Sequence, residues 1–454
     1  MVHLRPIRDV RRSFATRQPS APLGQRITEV TTHENGRTSH AAISQGFPAT
    51  GHVSSLDIST ATLPARLRVG AATSVLDVTE WFGDTSGGIR TYLLQKALYV
   101  AARPWLRHVL LVPGAYDAIA EEDGVRMYRL QGPPIPRQKP YRFMLATRSI
   151  GRVVRHESPD IMEVGSPFMV PWIVRNATRD LNIPMVCFYH TNLPRIFAPR
   201  DGQDGVLQRA RYRAAWQYMR RLDRLFPLTI VSSEYSAREL ANEGIARVVR
   251  VPLGVDLEQF HPRNRAVVAD TRARFRLPDT PLAGFVGRFA REKELLMLLD
   301  AWPAVERRTG ARLVLAGAGP MEAQLRNHPY GARVCFIPFQ NDRPSIARLM
   351  ACFDLYLSPG RIETFGLSSL EAMASGTAVL SANEGGAPEL IISSQAGAVF
   401  EAGVSSSLTA VAIALFQQNL EAAGQRGRQY AEREHSWTSV FDRLFDVYRT
   451  VLTQ

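Results

Sequence analysis

Two carboxylates lie close together in an apolar, glycine-rich stretch of the chain. The segment SPGRIETFGLSSLEAMASG covers residues 358–376 and places Glu363 and Glu371 eight positions apart. Glu363 follows an apolar run that ends at Pro-Gly, and Glu371 comes about one helical turn after a Ser-Ser helix start. A carboxylate accepts hydrogen bonds from vicinal sugar hydroxyls. The spacing therefore predicts a site for two sugars, a ribose and a hexose.

The backbone between these glutamates suits an anion. Phe365, Gly366 and Leu367 precede the predicted helix, and the N–H groups at a helix N-terminus favour phosphate. Two cations in VGRFAREK, Arg288 and Lys293, follow another apolar strand pattern. Arginine binds a diphosphate as a fork and lysine binds it as a point charge. Together these features predict binding of a nucleoside diphosphate; the alternative for the two cations is a solvated surface.

Three further loops follow predicted strands and could reach the same ligand. In YHTNLP, His190 can exchange hydrogen bonds with a substrate near neutral pH, or it can be satisfied by neighbouring backbone. In DTSGGIR, Gly87 and Gly88 precede a helix, and Arg90 adds a fixed positive charge. The Gly-x-Gly turn at Gly317 is too short for a dinucleotide fingerprint.

The elements that carry these loops alternate between strand and helix. From about residue 68 onward, apolar runs of strand length are separated by helical patterns of roughly 10–15 residues, which is typical of parallel sheets covered on both faces. We predict an α/β protein with two doubly wound, Rossmann-like domains. The predicted parts are a flexible extension (1–66), an N-terminal domain (67–254), a C-terminal domain (255–435) and a terminal helix (436–454).

Charge is distributed unevenly along the chain. Of the net charge of +13, residues 67–252 carry an excess of nine positive charges (26 basic against 17 acidic residues), residues 1–66 carry four, and the remainder is neutral. A basic half indicates an anionic partner such as phospholipid head groups, nucleic acid or an anionic substrate. No run is long and apolar enough for a membrane span. The three cysteines are far apart and form no metal-ligand or disulfide pattern.

Five motifs in order resemble the retaining family-4 glycosyltransferases. ETFGLSSLE resembles the family's Glu-x7-Glu signature, and ASGTAVLSANEGGAPELI the segment after it. FVGRFAREK resembles the Gly-Arg…Lys element, VPLGVDLEQFHP the interdomain linker, and SGGIRTYL the N-terminal glycine loop. The resemblance covers about residues 70–450. It implies a GT-B fold, in which the two domains face a cleft and the C-terminal helix returns to the N-terminal domain.

The resemblance also implies roles for individual residues. Arg288 and Lys293 would bind the donor diphosphate, Glu371 the ribose, and Glu363 with the following backbone the sugar and phosphates. His190 would contact the transferred sugar. We therefore predict four catalytic residues, namely His190, Arg288, Lys293 and Glu363. The predicted donor-binding residues are Gly87, Gly88, Gly287, Arg288, Lys293, Gly317, Ile337, Glu363, Thr364, Phe365, Gly366, Leu367 and Glu371, and Arg90 and Thr191 are predicted on the acceptor side.

The predicted function is retaining, metal-independent transfer of a hexose from a nucleoside-diphosphate sugar to a hydroxyl acceptor, with no cofactor. The resemblance favours GDP-mannose over a UDP-hexose, although Pro338 replaces a glycine that relatives often carry after the base-binding strand. The favoured acceptor is a glycolipid or other membrane-associated molecule, reached by a cytoplasmic protein that docks at the inner membrane face.

Two alternatives stay open, and two are disfavoured. A transferase with a soluble or polysaccharide acceptor and a non-catalytic sugar-nucleotide-binding relative both use the same residues. A nucleic-acid-binding module would explain the charge but not Glu363 and Glu371. A phosphorylase-like enzyme would need a lysine for pyridoxal phosphate, and the second half of the chain offers only Lys293 in the wrong context.

Overall fold

The computed structural model describes residues 57–65, 73–83, 87–136, 141–197 and 205–454. Most of the predicted N-terminal extension, residues 1–56, lies outside these ranges. Its described end, residues 57–65, lies against the first sheet: the Ile58 carbonyl accepts a hydrogen bond from Arg152 at 2.8 Å, and the Ala65 carbonyl accepts one from Arg126 at 2.8 Å.

The N-terminal domain is built on an eight-stranded sheet. Its order is β3-β4-β2-β1-β5-β6-β7-β8, and every pair is parallel except β3 with β4. Its strands are β1 (Thr73–Val78), β2 (Leu106–Gly114), β3 (Ala118–Glu122), β4 (Val125–Gln131), β5 (Ile161–Val164), β6 (Met185–Phe188), β7 (Thr229–Val231) and β8 (Val248–Arg250). Its helices are α1 (Gly88–Ala101), α2 (Thr147–Glu157), α3 (Val170–Ala177), α4 (Leu193–Phe197), α5 (Val206–Asp223) and α6 (Glu234–Asn242).

The C-terminal domain has a six-stranded, fully parallel sheet in the order β11-β10-β9-β12-β13-β14. Its strands are β9 (Leu282–Val286), β10 (Arg312–Ala316), β11 (Cys335–Ile337), β12 (Leu355–Ser358), β13 (Ala378–Ala382) and β14 (Gly397–Phe400). Its helices are α7 (Val268–Phe275), α8 (Leu295–Thr309), α9 (Glu322–Arg326), α10 (Arg343–Cys352), α11 (Leu367–Ala374), α12 (Ala387–Ser394), α13 (Ser405–Phe416) and α14 (Leu420–Glu434), with short 3-10 turns at Pro262–Val267, Arg291–Lys293 and Gly331–Arg333.

Most strand residues are buried on both faces because helices cover both sides of each sheet. In the C-terminal sheet, β9 has β10 on one side and β12 on the other. The chain therefore winds in opposite directions from β9, and the loops after the parallel neighbours β9 and β12 lie at the same carboxyl edge of the sheet. Such a switch point opens a crevice for ligands.

The chain crosses between the domains twice, and the two crossings pair with each other. The Val255 N–H donates to the His435 carbonyl at 2.8 Å, and His435 Nδ1 lies 2.9 Å from the Leu253 carbonyl. After the second crossing, helix α15 (Trp437–Leu452) packs on α1 of the N-terminal domain. The predicted fold class, including this returning helix, is confirmed; the predicted domain boundaries stay predictions.

Candidate active site

The loops after β9 and β12 meet at the switch point of the C-terminal sheet. A Cβ atom on Gly360, just after β12, would lie 2.6 Å from the Glu292 carbonyl oxygen and 3.2 Å from Lys293 Cα. Only a residue without a side chain allows this approach. The glycine thus brings the loop that carries Glu363 against the loop that carries Lys293.

Lys293 and Glu363 form a direct ion pair in this crevice. Their side chains are 26% and 22% exposed, so a ligand can still reach both groups. Burial lowers the pKa of Lys293, but the Glu363 carboxylate more than offsets this, and the net shift of that pKa is upward. Lys293 is therefore a fixed positive charge throughout the neutral pH range.

Arg288 lies at the same edge and is exposed. Within the part of the chain that the structure describes, it forms no ion pair. Burial raises the pKa of Tyr141 in the N-terminal domain, and Arg288 partly offsets this. Arg288 also acts electrostatically on Lys293. Its guanidinium thus lies close enough to both domains for its field to span the cleft.

In three neighbouring loops, backbone N–H and carbonyl groups lie at the same edge of the C-terminal sheet. The Gly287 N–H donates to the Ala316 carbonyl at 3.0 Å, and the Gly317 N–H donates to the Ile337 carbonyl at 2.9 Å. A Cβ atom on Gly317 would overlap the Gly287 carbonyl. Gly287, Gly317 and Ile337, all predicted to bind the donor, are therefore adjacent in the structure.

The helix N-terminus predicted for phosphate begins at Leu367. Gly366 precedes it with φ +94°, and no side chain caps the helix. Phe365 is buried, and its ring centroid lies 5.8 Å from that of His435. Among the described residues, no side chain accepts from the first backbone N–H groups of α11, so these groups are available for an anion.

Glu371 has a partner that the sequence did not predict. Arg343, at the start of α10, donates to Glu371 Oε1 at 2.7 Å, and the Glu371 side chain is only 6% exposed. The Arg343 guanidinium also lies over the Phe260 ring at 4.8 Å. Glu363, just before α11, and Glu371, within α11, thus have different cationic partners, Lys293 and Arg343.

His190 lies at the carboxyl end of β6, across the cleft from Glu363. Its carbonyl accepts a hydrogen bond from Thr364 Oγ1 at 3.0 Å, which ties it to the neighbour of Glu363. Its imidazole stacks on Phe188, with ring centroids 4.1 Å apart and planes 3° apart. Burial lowers the pKa of His190 to about 3. The imidazole is therefore neutral at physiological pH and can both donate and accept a hydrogen bond.

The N-terminal glycine loop faces the same helix. A Cβ atom on Gly88 would lie 3.5 Å from Leu367 Cδ2, whereas Gly87 is exposed with open space around it. Arg90 lies 5.7 Å from the Phe82 ring centroid, and Thr191 is partly exposed beside His190. The structure thus brings predicted residues of both domains to one cleft.

Sequence reasoning missed the contacts that join the two domains at this cleft. The Thr364 carbonyl accepts a hydrogen bond from Ser233 Oγ at 2.6 Å. The Glu389 carboxylate accepts from the backbone N–H groups of Glu234, at 2.9 Å, and Tyr235. Glu389 thereby caps α6 of the other domain. Ser232 and Ser233 before α6 are a helix-start signal in the sequence, but the partners of Ser233 and Glu389 in the other domain carry no such signal.

Sequence reasoning also missed an aromatic cluster on the N-terminal side. The Trp81 ring centroid lies 4.8 Å from that of Tyr141 and 5.4 Å from that of Phe168, and Trp81 and Phe168 follow the carboxyl ends of β1 and β5. Beside it, the buried Glu80 carboxylate accepts from Ser166 Oγ at 2.7 Å, and burial raises the pKa of Glu80. Aromatic rings with a carboxylate suit a polyhydroxylated ring.

Two features are absent from residues 57–65, 73–83, 87–136, 141–197 and 205–454. No group of three or more His, Cys, Asp or Glu side chains in these ranges could hold a metal ion. None of the described helices is long and apolar enough to cross a bilayer.

Comparison with known proteins gives matches over both domains. Residues 86–259 match the family model described as Glycosyltransferase Family 4, and residues 280–418 match that described as Glycosyl transferases group 1. A GDP-mannose-dependent alpha-(1-6)-phosphatidylinositol dimannoside mannosyltransferase of Mycobacterium tuberculosis is 32% identical over 325 residues, covering 70% of this chain and 81% of that protein. A GDP-mannose-dependent alpha-mannosyltransferase of the same species is 30% identical, covering 75% and 85%. Sucrose-phosphate synthase from Thermosynechococcus elongatus has a similar structure, with a TM-score of 0.69 at 20% identity over 84% of this chain and 99% of that one.

Proposed function

Because the chain belongs to glycosyltransferase family 4 and has the GT-B fold, we propose that it transfers mannose from GDP-mannose to a hydroxyl of a glycolipid, with retention of the anomeric configuration. One observation carries this proposal: the Lys293–Glu363 pair lies at the switch point of the C-terminal sheet, opposite His190 of the other domain. A site with cations for the diphosphate and a carboxylate for the sugar is divided between the two domains, as a two-substrate transfer requires.

The residues present support a specific division of labour. Arg288, Lys293 and the N-terminus of α11 bind the diphosphate and neutralise the charge that develops on it as the bond to sugar C1 breaks. Glu363 accepts hydrogen bonds from the sugar hydroxyls, and neutral His190 holds the sugar from the other side. The acceptor oxygen forms its bond to C1 on the face that the leaving phosphate vacates. Its proton passes to a phosphate oxygen, so neither a metal nor an enzyme nucleophile is required.

The relatives support the donor and the acceptor class. Both mycobacterial proteins are named as GDP-mannose-dependent, and one is named for a phosphatidylinositol mannoside acceptor. In this chain, the Trp81 cluster with Glu80 supplies stacking surfaces and a carboxylate on the acceptor side. We assign this cluster to the sugar or inositol ring of the acceptor.

The following experiment tests the transferase. Full-length protein is incubated with GDP-mannose or UDP-glucose, and donor hydrolysis and thermal stabilisation are measured. We expect GDP-mannose to be preferred, and His190→Ala and Glu363→Ala to lower turnover by about 100-fold or more while GDP still binds. The exposed Glu401→Ala is the matched control and should keep full turnover. Wild-type turnover in both site variants would overturn the site, and a preference for UDP-glucose would overturn the donor.

We also propose peripheral docking on an anionic membrane through α5. This helix carries exposed Val206 and Leu207 at its start, 78% and 63% exposed, followed by exposed Arg211, Arg213 and Arg221. Apolar residues beside arginines suit the boundary between head groups and acyl chains. Each arginine near such a surface contributes about 1 kcal/mol of attraction.

Vesicle sedimentation tests the docking surface. Arg211→Gln/Arg213→Gln should weaken binding to vesicles that contain phosphatidylinositol by roughly an order of magnitude, and should not change binding to pure phosphatidylcholine. Arg307→Gln/Arg308→Gln removes two exposed charges from the C-terminal domain and is the control. Equal losses in the two double variants would refute α5 as the surface.

A further inference from the structure

A buried network of ionisable groups lies inside the N-terminal domain, beneath His190. Lys96 is fully buried, and its Nζ lies 2.9 Å from Asp77, 3.5 Å from Glu163 and 2.7 Å from the Tyr448 hydroxyl. Asp77 also contacts His108 of β2. Burial lowers the pKa of His108 and raises the pKa of Glu163, so the cation of the network, Lys96, faces one carboxylate anion, Asp77, and their charges balance without solvent.

Tyr92 connects this network to the reaction centre. It lies one helical turn before Lys96 on α1, so both side chains are on the same face. The Tyr92 hydroxyl lies 3.0 and 3.1 Å from the two oxygens of Glu163. Its ring centroid lies 5.1 Å from that of His190 and 5.0 Å from that of Phe188. The hydroxyl is thus held by Glu163, and the ring of the same side chain packs against the imidazole.

The imidazole of His190 has no hydrogen bond from a described residue to orient it. What holds the ring is contact with Phe188 on one face and Tyr92 at a tilt. A residue that contacts a transferred sugar needs a fixed position, because misplacement by about 1 Å can cost two orders of magnitude in rate. An anchored Tyr92 ring supplies that constraint.

We propose that Tyr92 is a positioning residue for His190, held in place by the buried Glu163–Lys96 network. This inference rests on the proposed function, because it assigns His190 a contact with the transferred sugar. The residues that hold the imidazole in position therefore lie on α1 and β5 rather than on the loop that carries His190.

Two phenylalanine variants separate positioning from stability. Tyr92→Phe and Tyr448→Phe each remove one hydroxyl bound to Glu163, so both should lower the thermal midpoint by a similar amount. Of the two tyrosines, only Tyr92 has a ring contact with the imidazole, whereas Tyr448, on α15, bonds to Glu163 and Lys96. We expect Tyr92→Phe to lower kcat about tenfold with the KM for GDP-mannose within twofold, and Tyr448→Phe to leave kcat unchanged.

A spectroscopic readout complements the kinetics. In protein labelled with 13C-histidine, the His190 ring signal, assigned by its loss in His190→Gln, should shift in Tyr92→Phe but not in Tyr448→Phe. Equal effects of the two variants on kcat, or an unshifted His190 signal in Tyr92→Phe, would overturn the inference.

His190→Ala distinguishes this failure from failure of the proposed function. If His190→Ala lowers turnover but Tyr92→Phe behaves like Tyr448→Phe, only the inference is wrong. If His190→Ala keeps full turnover, both the site assignment and the inference are wrong.

Discussion

The two domains share one architecture but have very different interiors. Among the described residues, seven of the eight buried Asp, Glu, Lys and Arg side chains belong to the N-terminal domain, and the eighth is Glu371. The seven are Asp77, Glu80, Lys96, Arg107, Arg126, Glu157 and Glu163. The C-terminal domain instead has an apolar interior, and its glycines determine how closely the loops approach one another.

This difference shows two ways of fixing a functional side chain. On the donor side, Gly360 and Gly366 allow backbone segments to touch. The positions of Lys293 and Glu363 follow from this close approach. On the acceptor side, buried ionic contacts hold side chains in place. These side chains in turn restrict the positions of the loop residues that pack on them. Disrupting the glycine contacts and disrupting the buried ionic contacts should therefore have different effects on stability and activity.

The largest expected effect comes from removing Lys96. Lys96→Met leaves Asp77 and Glu163 buried without their shared cation, and we expect the free energy of unfolding to fall by about 3–5 kcal/mol. Arg326→Met, which breaks the exposed pair of Arg326 with Glu322 in the C-terminal domain, should cost about 0.5 kcal/mol or less. Urea unfolding followed by circular dichroism measures both. Similar losses of unfolding free energy in the two variants would contradict the proposed difference between the two domain interiors.

A smaller effect should follow from adding one carbon at the donor site. Gly366→Ala places a Cβ atom 2.7 Å from that of Ala387 at φ +94°, and should cost about 1–3 kcal/mol and raise the KM for the donor. Gly310→Ala is the control, because its φ is +71° but nothing lies within 4 Å. It should cost about 1 kcal/mol and leave that KM unchanged. An unchanged donor KM in Gly366→Ala would argue against phosphate binding at α11.

The smallest effect concerns pH. The pKa of His190 is about 3 in the folded protein and about 6.5 in an unfolded chain, so protons bind the unfolded state more tightly between these values. Stability from this group is therefore present above pH 6.5 and is lost as the pH falls toward 3. Between pH 7.5 and 5, wild type should lose about 1–2 kcal/mol more than His190→Gln in urea unfolding. Equal losses would mean that His190 can be protonated in the folded state.

Sequence alone predicted that these donor-side residues would lie close together, for a physical reason. Gly287, Gly317 and Gly366 are required by local backbone geometry, which a sequence records directly as residue types in order. Lys293 and Glu363 lie after strands, and parallel topology brings the ends of strands to one edge. Their meeting therefore follows from pattern and fold, without knowledge of any side-chain contact.

The missed features depend on placement in three dimensions. Arg343, Ser233 and Glu389 are ordinary helix-terminal residues in sequence, and their partners lie far along the chain or in the other domain. One local signal was nevertheless overlooked. Asp123-Gly124 has positive φ at both residues and forms the hairpin between β3 and β4, a strong sequence signature for an antiparallel pair.

The returning helix α15 has a consequence for biosynthesis. Tyr448, which completes the contacts of Lys96 and Glu163, is translated 352 residues after Lys96. Translation proceeds at about 5–20 residues per second, so the N-terminal domain waits tens of seconds for this side chain while the C-terminal domain emerges. The N-terminal domain can therefore complete its buried network only after the C-terminal domain has been synthesised.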